Sequence, residues 1–191
     1  MGFLSRIFKK SSTPAPQRQP YSEVIKTLKV NETKILDVKL ICDKFYKTQE
    51  RYHVVSQETG IPEALIFALH MRECSGDFKG CLANGERIIG TGKKTTLVPK
   101  GMGPYNSWEE SAIDELKRYS KPDQWNFEEM LKFAEKYNGM GYYNKGVASP
   151  YVLSWTNGYV KGKYVADGKF DPDFVDKQCG VAAILLGLGV K

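Results

Sequence analysis

IPEALIFALHMRECSGDFK, residues 61–79, is the stretch on which the fold of this chain turns. Pro62 suits a first helical turn, where its missing N–H removes no hydrogen bond, and Glu63 complements the positive end of the helix dipole. No polar residue interrupts Leu65 to Leu69, so the predicted helix is buried on most sides and runs through the core. Ile66, Leu69 and Glu73 follow at i, i+3 and i+7, which sets Glu73 on an apolar stripe in the last turn, just before Gly76 as the expected C-cap. Apolar surroundings and the negative end of the dipole both disfavour an ionised carboxylate there, and each raises its pKa. A general acid that must stay protonated near neutral pH needs that setting. A partly exposed glutamate paired with Arg72 or another cation would give the same sequence pattern, so both readings of Glu73 stand.

The chain has 191 residues, 41% of them hydrophobic and 12% aromatic, which fits one domain with a sizeable core. Its net charge is +6, but Arg6, Lys9, Lys10 and Arg18 place +4 of that in residues 1–20, where no acid stands. The remaining +2 argues against a nucleic-acid groove across the domain, and no nucleic-acid partner is expected. Cys42, Cys74, Cys81 and Cys179 show no CxxC spacing, and with only His53 and His70 beside them no zinc pattern forms. No metal or cofactor is expected, and the thiols are read as free and buried.

MGFLSRIFKK, residues 1–10, has an apolar patch too short for a signal-peptide core, and Arg6 stands where myristoylation requires Ser or Thr. A weak membrane-surface contact through these residues is the alternative to a disordered basic leader. SSTPAPQRQP, residues 11–20, is a proline and serine linker, which puts the single folded domain at 21–191.

Helical spacing continues from Thr33 to about Gln57, closed by Gly60. Six glycines between 80 and 104, the Asn84-Gly85 turn and TTLVP suggest a small β-lobe inserted between helices. Ser107 with Glu110, and Asn126 with Glu129, form capping boxes for two further helices, the first running towards Pro122 and the second stopped by Gly139. Asp171-Pro172 is expected to open a last helix through Val175, Cys179, Ala182 and Leu186. The apolar run 180–190 is too short to span a bilayer and belongs to that helix. Residues 137–168 are dense in Tyr, Trp and Gly; such rings suit a site that is wet on one side, where they can lie on the apolar face of a sugar or a base.

These segments together resemble a known superfamily. RECSGDF, residues 72–78, looks like the Glu-Ser region that carries the catalytic acid in lytic transglycosylases, and KYNGMGYY, residues 136–143, is similar to their Ala-Tyr-Asn-x-Gly segment. With LHMRECSGDF, LANGE, SPYVLSWTNGY and GKYVADG, the chain from about 60 to 185 most resembles a phage and bacterial lysozyme family of endolysin-type domains within the lysozyme-like superfamily. Cys74 stands where those transglycosylases have serine, and their Gly-Leu-Met-Gln segment has no counterpart, so hydrolase and transglycosylase outcomes both stay open.

The resemblance implies an α+β, mainly α fold: a central helix ending in the catalytic Glu, a small glycine-rich lobe and surrounding helices. It implies cleavage of the β-1,4 bond between N-acetylmuramic acid and N-acetylglucosamine, with Glu73 protonating the leaving oxygen. Glu86 is the candidate second carboxylate, with Asp77 as a competitor; if neither faces the cleft, the sugar's own 6-hydroxyl can attack instead. Tyr137 and Asn138 are expected to position substrate, and Tyr151, Trp155 and Tyr164 to line the saccharide cleft. His70 is read as a core or rim histidine. The implied partner is the glycan strand of peptidoglycan and the implied state a monomer, made in the bacterial cytoplasm and acting on the wall after holin release or from a virion. A non-catalytic glycan-binding module and a chitin-directed glycosidase are the alternatives.

Overall fold

Apolar spacing and its punctuation resolve into elements in chain order. In the computed structural model, which describes residues 17–191, α1 (Tyr21–Val24) and a 3-10 turn (Glu32–Lys34) lead into α2 (Ile35–Thr59) and α3 (Glu63–Cys74). After a long lobe come α4 (Trp108–Leu116), α5 (Phe127–Asn138), α6 (Gly141–Lys145) and α7 (Pro150–Leu153). Strands β1 (Lys163–Ala166) and β2 (Lys169–Asp171) precede α8 (Val181–Gly187). The class is α+β and mainly helical; the one sheet among the described residues is the antiparallel pair β1–β2. The basic leader and its expected membrane contact lie outside the described residues.

Helix α3 is buried on every side along Leu65, Ile66, Phe67, Ala68, Leu69 and His70, none more than 1% exposed. It packs against α2, α5 and α8. Each large apolar side chain so placed stabilises the fold by about 1.5–3 kcal/mol. Tyr52 of α2 meets Phe67 edge-on at 5.4 Å, and the His70 ring lies 4.8 Å from Phe78 and 4.4 Å from Trp108. His70 Nε2 stands 3.2 Å from the Asp77 carbonyl oxygen, which accepts its proton, so Nδ1 is left to accept from the Tyr52 hydroxyl at 3.0 Å. Burial pushes this histidine down to about 4, which makes it a neutral core residue rather than a base.

The helix ends one residue earlier than the expected glycine cap. Ser75 adopts the left-handed conformation at φ 55° and its N–H reaches the Met71 carbonyl at 3.1 Å; Gly76, at φ 77°, donates to the His70 carbonyl at 3.3 Å. Two left-handed residues turn the chain sharply away from Glu73. The caps of α4 and α5 follow the sequence: Ser107 Oγ accepts from Glu110 N–H at 3.2 Å and Asn126 Oδ1 from Glu129 N–H at 2.9 Å. Helix α4 stops at Leu116, short of Pro122.

The β-lobe expected over residues 80–104 contains no strand. It is a set of turns around its own small core of Cys81, Ile88, Met102 and Tyr105. Asn84-Gly85 does form a turn, with Gly85 N–H donating to the Cys81 carbonyl at 2.8 Å and Cys81 N–H to the Glu86 carbonyl at 2.7 Å. No ladder grows from TTLVP, because the N–H groups of Thr96 and Leu97 donate to the Glu86 carboxylate, each at 2.8 Å, instead of to a neighbouring strand.

The last helix begins at Val181 rather than at Pro172. Asp171 closes β2, and its carboxylate takes the Asp173 N–H at 2.9 Å, an Asx turn that diverts the chain. Gly180 then lies against α7 so closely that an added Cβ would stand 2.6 Å from Ser154 N. The folded part also starts before Tyr21. Arg18 donates its N–H to the Gly146 carbonyl at 2.8 Å, pairs through its guanidinium with buried Glu135 and lies 4.6 Å over the Tyr143 ring. A linker arginine is drawn in because Glu135 sits inside the body and needs a cation.

Candidate functional site

Glu73 occupies the last turn of α3, half-buried, where the dipole and the core both oppose its charge. The Tyr151 hydroxyl of α7 donates to Glu73 Oε1 at 2.8 Å. Burial raises the Glu73 pKa most, the Tyr151 hydrogen bond and the Arg72 charge oppose the rise, and the Glu115 charge adds to it. Arg72 is not the ion-pair partner of Glu73. Its Nη2 stands 3.1 Å from Asp176 Oδ2 and its guanidinium stacks 4.7 Å from the Tyr151 ring centre.

Glu115, not among the expected site residues, is a second carboxyl whose charge acts on Glu73. It is 4% exposed on α4, takes the Tyr119 hydroxyl at 3.1 Å on one oxygen, and has burial as the main cause of its own raised pKa. Its signal was in the sequence: Trp108, Ala112, Glu115 and Tyr119 follow at i, i+4, i+7 and i+11, the pattern that marks Glu73. The Glu115 charge is one of the causes that raise the Glu73 pKa, as a like charge near a half-buried carboxyl does.

Tyr151 also lines a cleft of about 510 Å³. Arg72 and Tyr151 form one side, Asn138, Gly139 and Gly141 the turn after α5, and Lys163, Tyr164 and Ala166–Gly168 the β1–β2 hairpin. Tyr142 braces the hairpin: its hydroxyl accepts the Tyr164 N–H at 3.1 Å and the two rings meet edge-on at 5.1 Å. Asn138, Tyr151 and Tyr164 thus line the same cleft from three different elements.

Other expected site residues stand elsewhere. Tyr137 lies behind the cleft, its ring 5.0 Å from Tyr119 and its hydroxyl donating to the Leu82 carbonyl at 2.9 Å, a tie between α5 and the lobe. Trp155 lines a different cavity, with Nε1 donating to the Lys177 carbonyl at 3.1 Å and Lys34 Nζ 4.5 Å over its ring. Glu86, expected as the second acid, has its carboxylate taken up inside the lobe. It accepts the Thr96 and Leu97 N–H groups, the Thr96 hydroxyl at 2.7 Å and the Asn84 amide at 3.3 Å, and these bonds, that of Thr96 first, lower its pKa. Asp77 accepts the Lys79 N–H at 3.0 Å and pairs with Arg87 at 3.4 Å.

Cys74 is chemically quiet. Its Sγ lies 3.4 Å from the Cys81 carbonyl oxygen, and burial, with Glu73 beside it, pushes the thiol up to about 12. All four cysteines are free. Among the described residues no group of His, Cys, Asp and Glu could hold a metal ion, and no helix is long and apolar enough to cross a membrane. Comparison with protein-family models, curated proteins and solved structures gives no match for this chain.

Proposed function

We propose that this protein is a peptidoglycan-degrading glycosidase with a lysozyme-like arrangement, in which Glu73 is the general acid. The observation that carries the proposal is a carboxyl at the end of a core helix, its pKa raised by burial, bonded to a tyrosine that itself lines a cleft of about 510 Å³. Asn138 and Tyr164 on the same cleft, and the resemblance of RECSGDF and KYNGMGYY to glycosidase segments, support the same substrate. Glu73 gives its proton to the oxygen between N-acetylmuramic acid and N-acetylglucosamine, the C1–O bond breaks, and an oxocarbenium-like centre develops on the muramic ring. The enzyme acts on the cell wall, released by a holin or carried by a virion.

How that centre is quenched follows from the lobe. With Glu86 bonded to Thr96, Leu97 and Asn84, and Asp77 paired with Arg87, a second reading gains support: the muramic 6-hydroxyl attacks C1, its proton passes to the Glu73 carboxylate left by the first step, and a 1,6-anhydro product forms. Glu86 is then a loop anchor and not a catalytic residue.

Incubation with purified peptidoglycan tests the function. The wild type should release soluble muropeptides, and Glu73→Gln should lower the rate by about 10²–10⁴-fold with the fold intact by circular dichroism. No release by the wild type, or equal release by the variant, would refute it.

A further inference from the structure

Two cations line the cleft, Arg72 and Lys163, and a single buried carboxylate lies between them. Asp176, 4% exposed, takes Arg72 Nη2 on Oδ2 at 3.1 Å and Lys163 Nζ on Oδ1 at 2.7 Å. Burial opposes the Asp176 charge, but the Lys163 hydrogen bond and the charges of Arg72 and Lys163 outweigh it, and its pKa is lowered. The three groups therefore carry one uncompensated positive charge. The Arg72 side chain is 6% exposed and fixed, by its stacking on Tyr151 and by Nη1 3.4 Å from the Cys179 carbonyl. The Lys163 side chain is 27% exposed and lines the cleft, so the surplus charge is presented to a ligand there. The other charged residue on the cleft, Asp167, sits on the exposed hairpin turn, where water screens it.

A neutral sugar has no use for such a charge, whereas a sugar that carries a carboxylate does. We propose that Lys163, backed by Arg72, is a specificity-determining residue that takes the carboxylate of an acidic, muramic-type sugar in the cleft and so favours it over neutral chitin-type glycan. The proposal rests on the glycosidase reading for the class of ligand, but it concerns binding and is tested without turnover. An ammonium on a flexible stem, already desolvated on one side by Asp176, exchanges little hydration when the sugar carboxylate arrives. Asp176 holds it at the hairpin edge, which makes Asp176 a positioning residue.

The test uses Glu73→Gln protein, so that no ligand is cleaved, and calorimetric titration with three tetrasaccharides: alternating N-acetylglucosamine and N-acetylmuramic acid, the same chain with its lactyl carboxylates methyl-esterified, and chitotetraose. The acidic chain should bind about 10- to 100-fold more tightly than the other two. Lys163→Gln should remove that preference, bringing the acidic chain to the affinity of the esterified one, and Lys163→Arg should restore most of it. Equal affinity for the acidic and esterified chains overturns the proposal, whether or not Lys163→Gln folds, because the ligand alone is changed in that comparison. Loss of all three ligands together in Lys163→Gln, or binding of none by the parent, overturns it as well. Carboxylate-dependent binding in a protein whose wild type releases no muropeptides would sink the glycosidase function and leave this inference standing.

Discussion

At Glu73 one hydroxyl opposes the rise in pKa that burial causes. Burial and the Glu115 charge hold the proton on, while the Tyr151 O–H and Arg72 favour its loss. Tyr151→Phe removes a hydrogen bond to the ionised form and nothing else of size, so the Glu73 pKa rises further. A general acid works only when protonated, and the falling limb of the pH–kcat/KM profile on the alkaline side tracks that pKa. The limb should therefore move to higher pH in Tyr151→Phe; an unchanged limb, or a shift to lower pH, would show that Glu73 is not the group observed. His70 supplies the matching prediction for stability. Its pKa is about 4 when folded against 6.5 for an ordinary histidine, so between these values the unfolded chain binds more protons and stability falls as pH falls. From pH 7.5 to pH 5 the loss from this residue is about 2 kcal/mol. His70→Gln, compared with wild type by urea denaturation at the two pH values, should show that much less dependence, whatever its absolute stability.

The lobe and the central helix meet at one glycine. Gly85 has φ 75°, and a Cβ built on it would stand 2.8 Å from the Glu73 carbonyl oxygen, which is backbone and cannot swing aside. Gly85→Ala must push the lobe away from the end of α3, at about 1–3 kcal/mol of stability. Because the contact is with the backbone of Glu73 itself, kcat should fall more than substrate affinity does; steady-state kinetics beside urea unfolding would separate the two, and a variant with normal kcat would show that the contact is only structural. At this scale the long helices were legible. Their apolar spacing, the Ser107 and Asn126 caps and the Gly60 and Gly139 stops are local signals that tertiary structure leaves in force. The lobe was not, because a side chain, Glu86, takes the backbone donors that would have made TTLVP a strand. The Asp167-Gly168 pair carried a hairpin signal as plain as that of Asn84-Gly85, yet only the first closes a ladder. The start of α8 depends on Asp171 capping its own turn, and on how near Gly180 lies to Ser154, a contact that no local pattern encodes.

The site is assembled across the whole chain, which is why periodicity found Glu73 but not what surrounds it. Tyr151 reaches Glu73 over 78 residues of sequence and Asp176 reaches Arg72 over 104. Folding also fixes what each carboxylate is left free to do. Glu86 is bonded into the lobe, Asp77 is paired with Arg87, and Glu115 is 4% exposed beside Tyr119. None of the three is placed as a free base beside the cleft, and Asp167, the carboxylate that does line it, stands on the exposed hairpin turn rather than on α3 or α7 beside Glu73, so the nucleophile that completes the reaction is expected to come from the substrate. Digestion in water enriched in oxygen-18, followed by mass spectrometry, distinguishes the routes. Attack by the muramic 6-hydroxyl takes no oxygen from solvent and gives anhydro ends lighter by one water. Attack by water leaves labelled reducing ends. The geometry predicts unlabelled anhydro products, and Glu86→Ala should then lower the rate no more than about tenfold, since it loosens the lobe without removing a reacting group. Labelled reducing ends, with a loss in Glu86→Ala as large as that in Glu73→Gln, would mean that Glu86 leaves Thr96 and Leu97 when the glycan binds and turns to the cleft as the second acid.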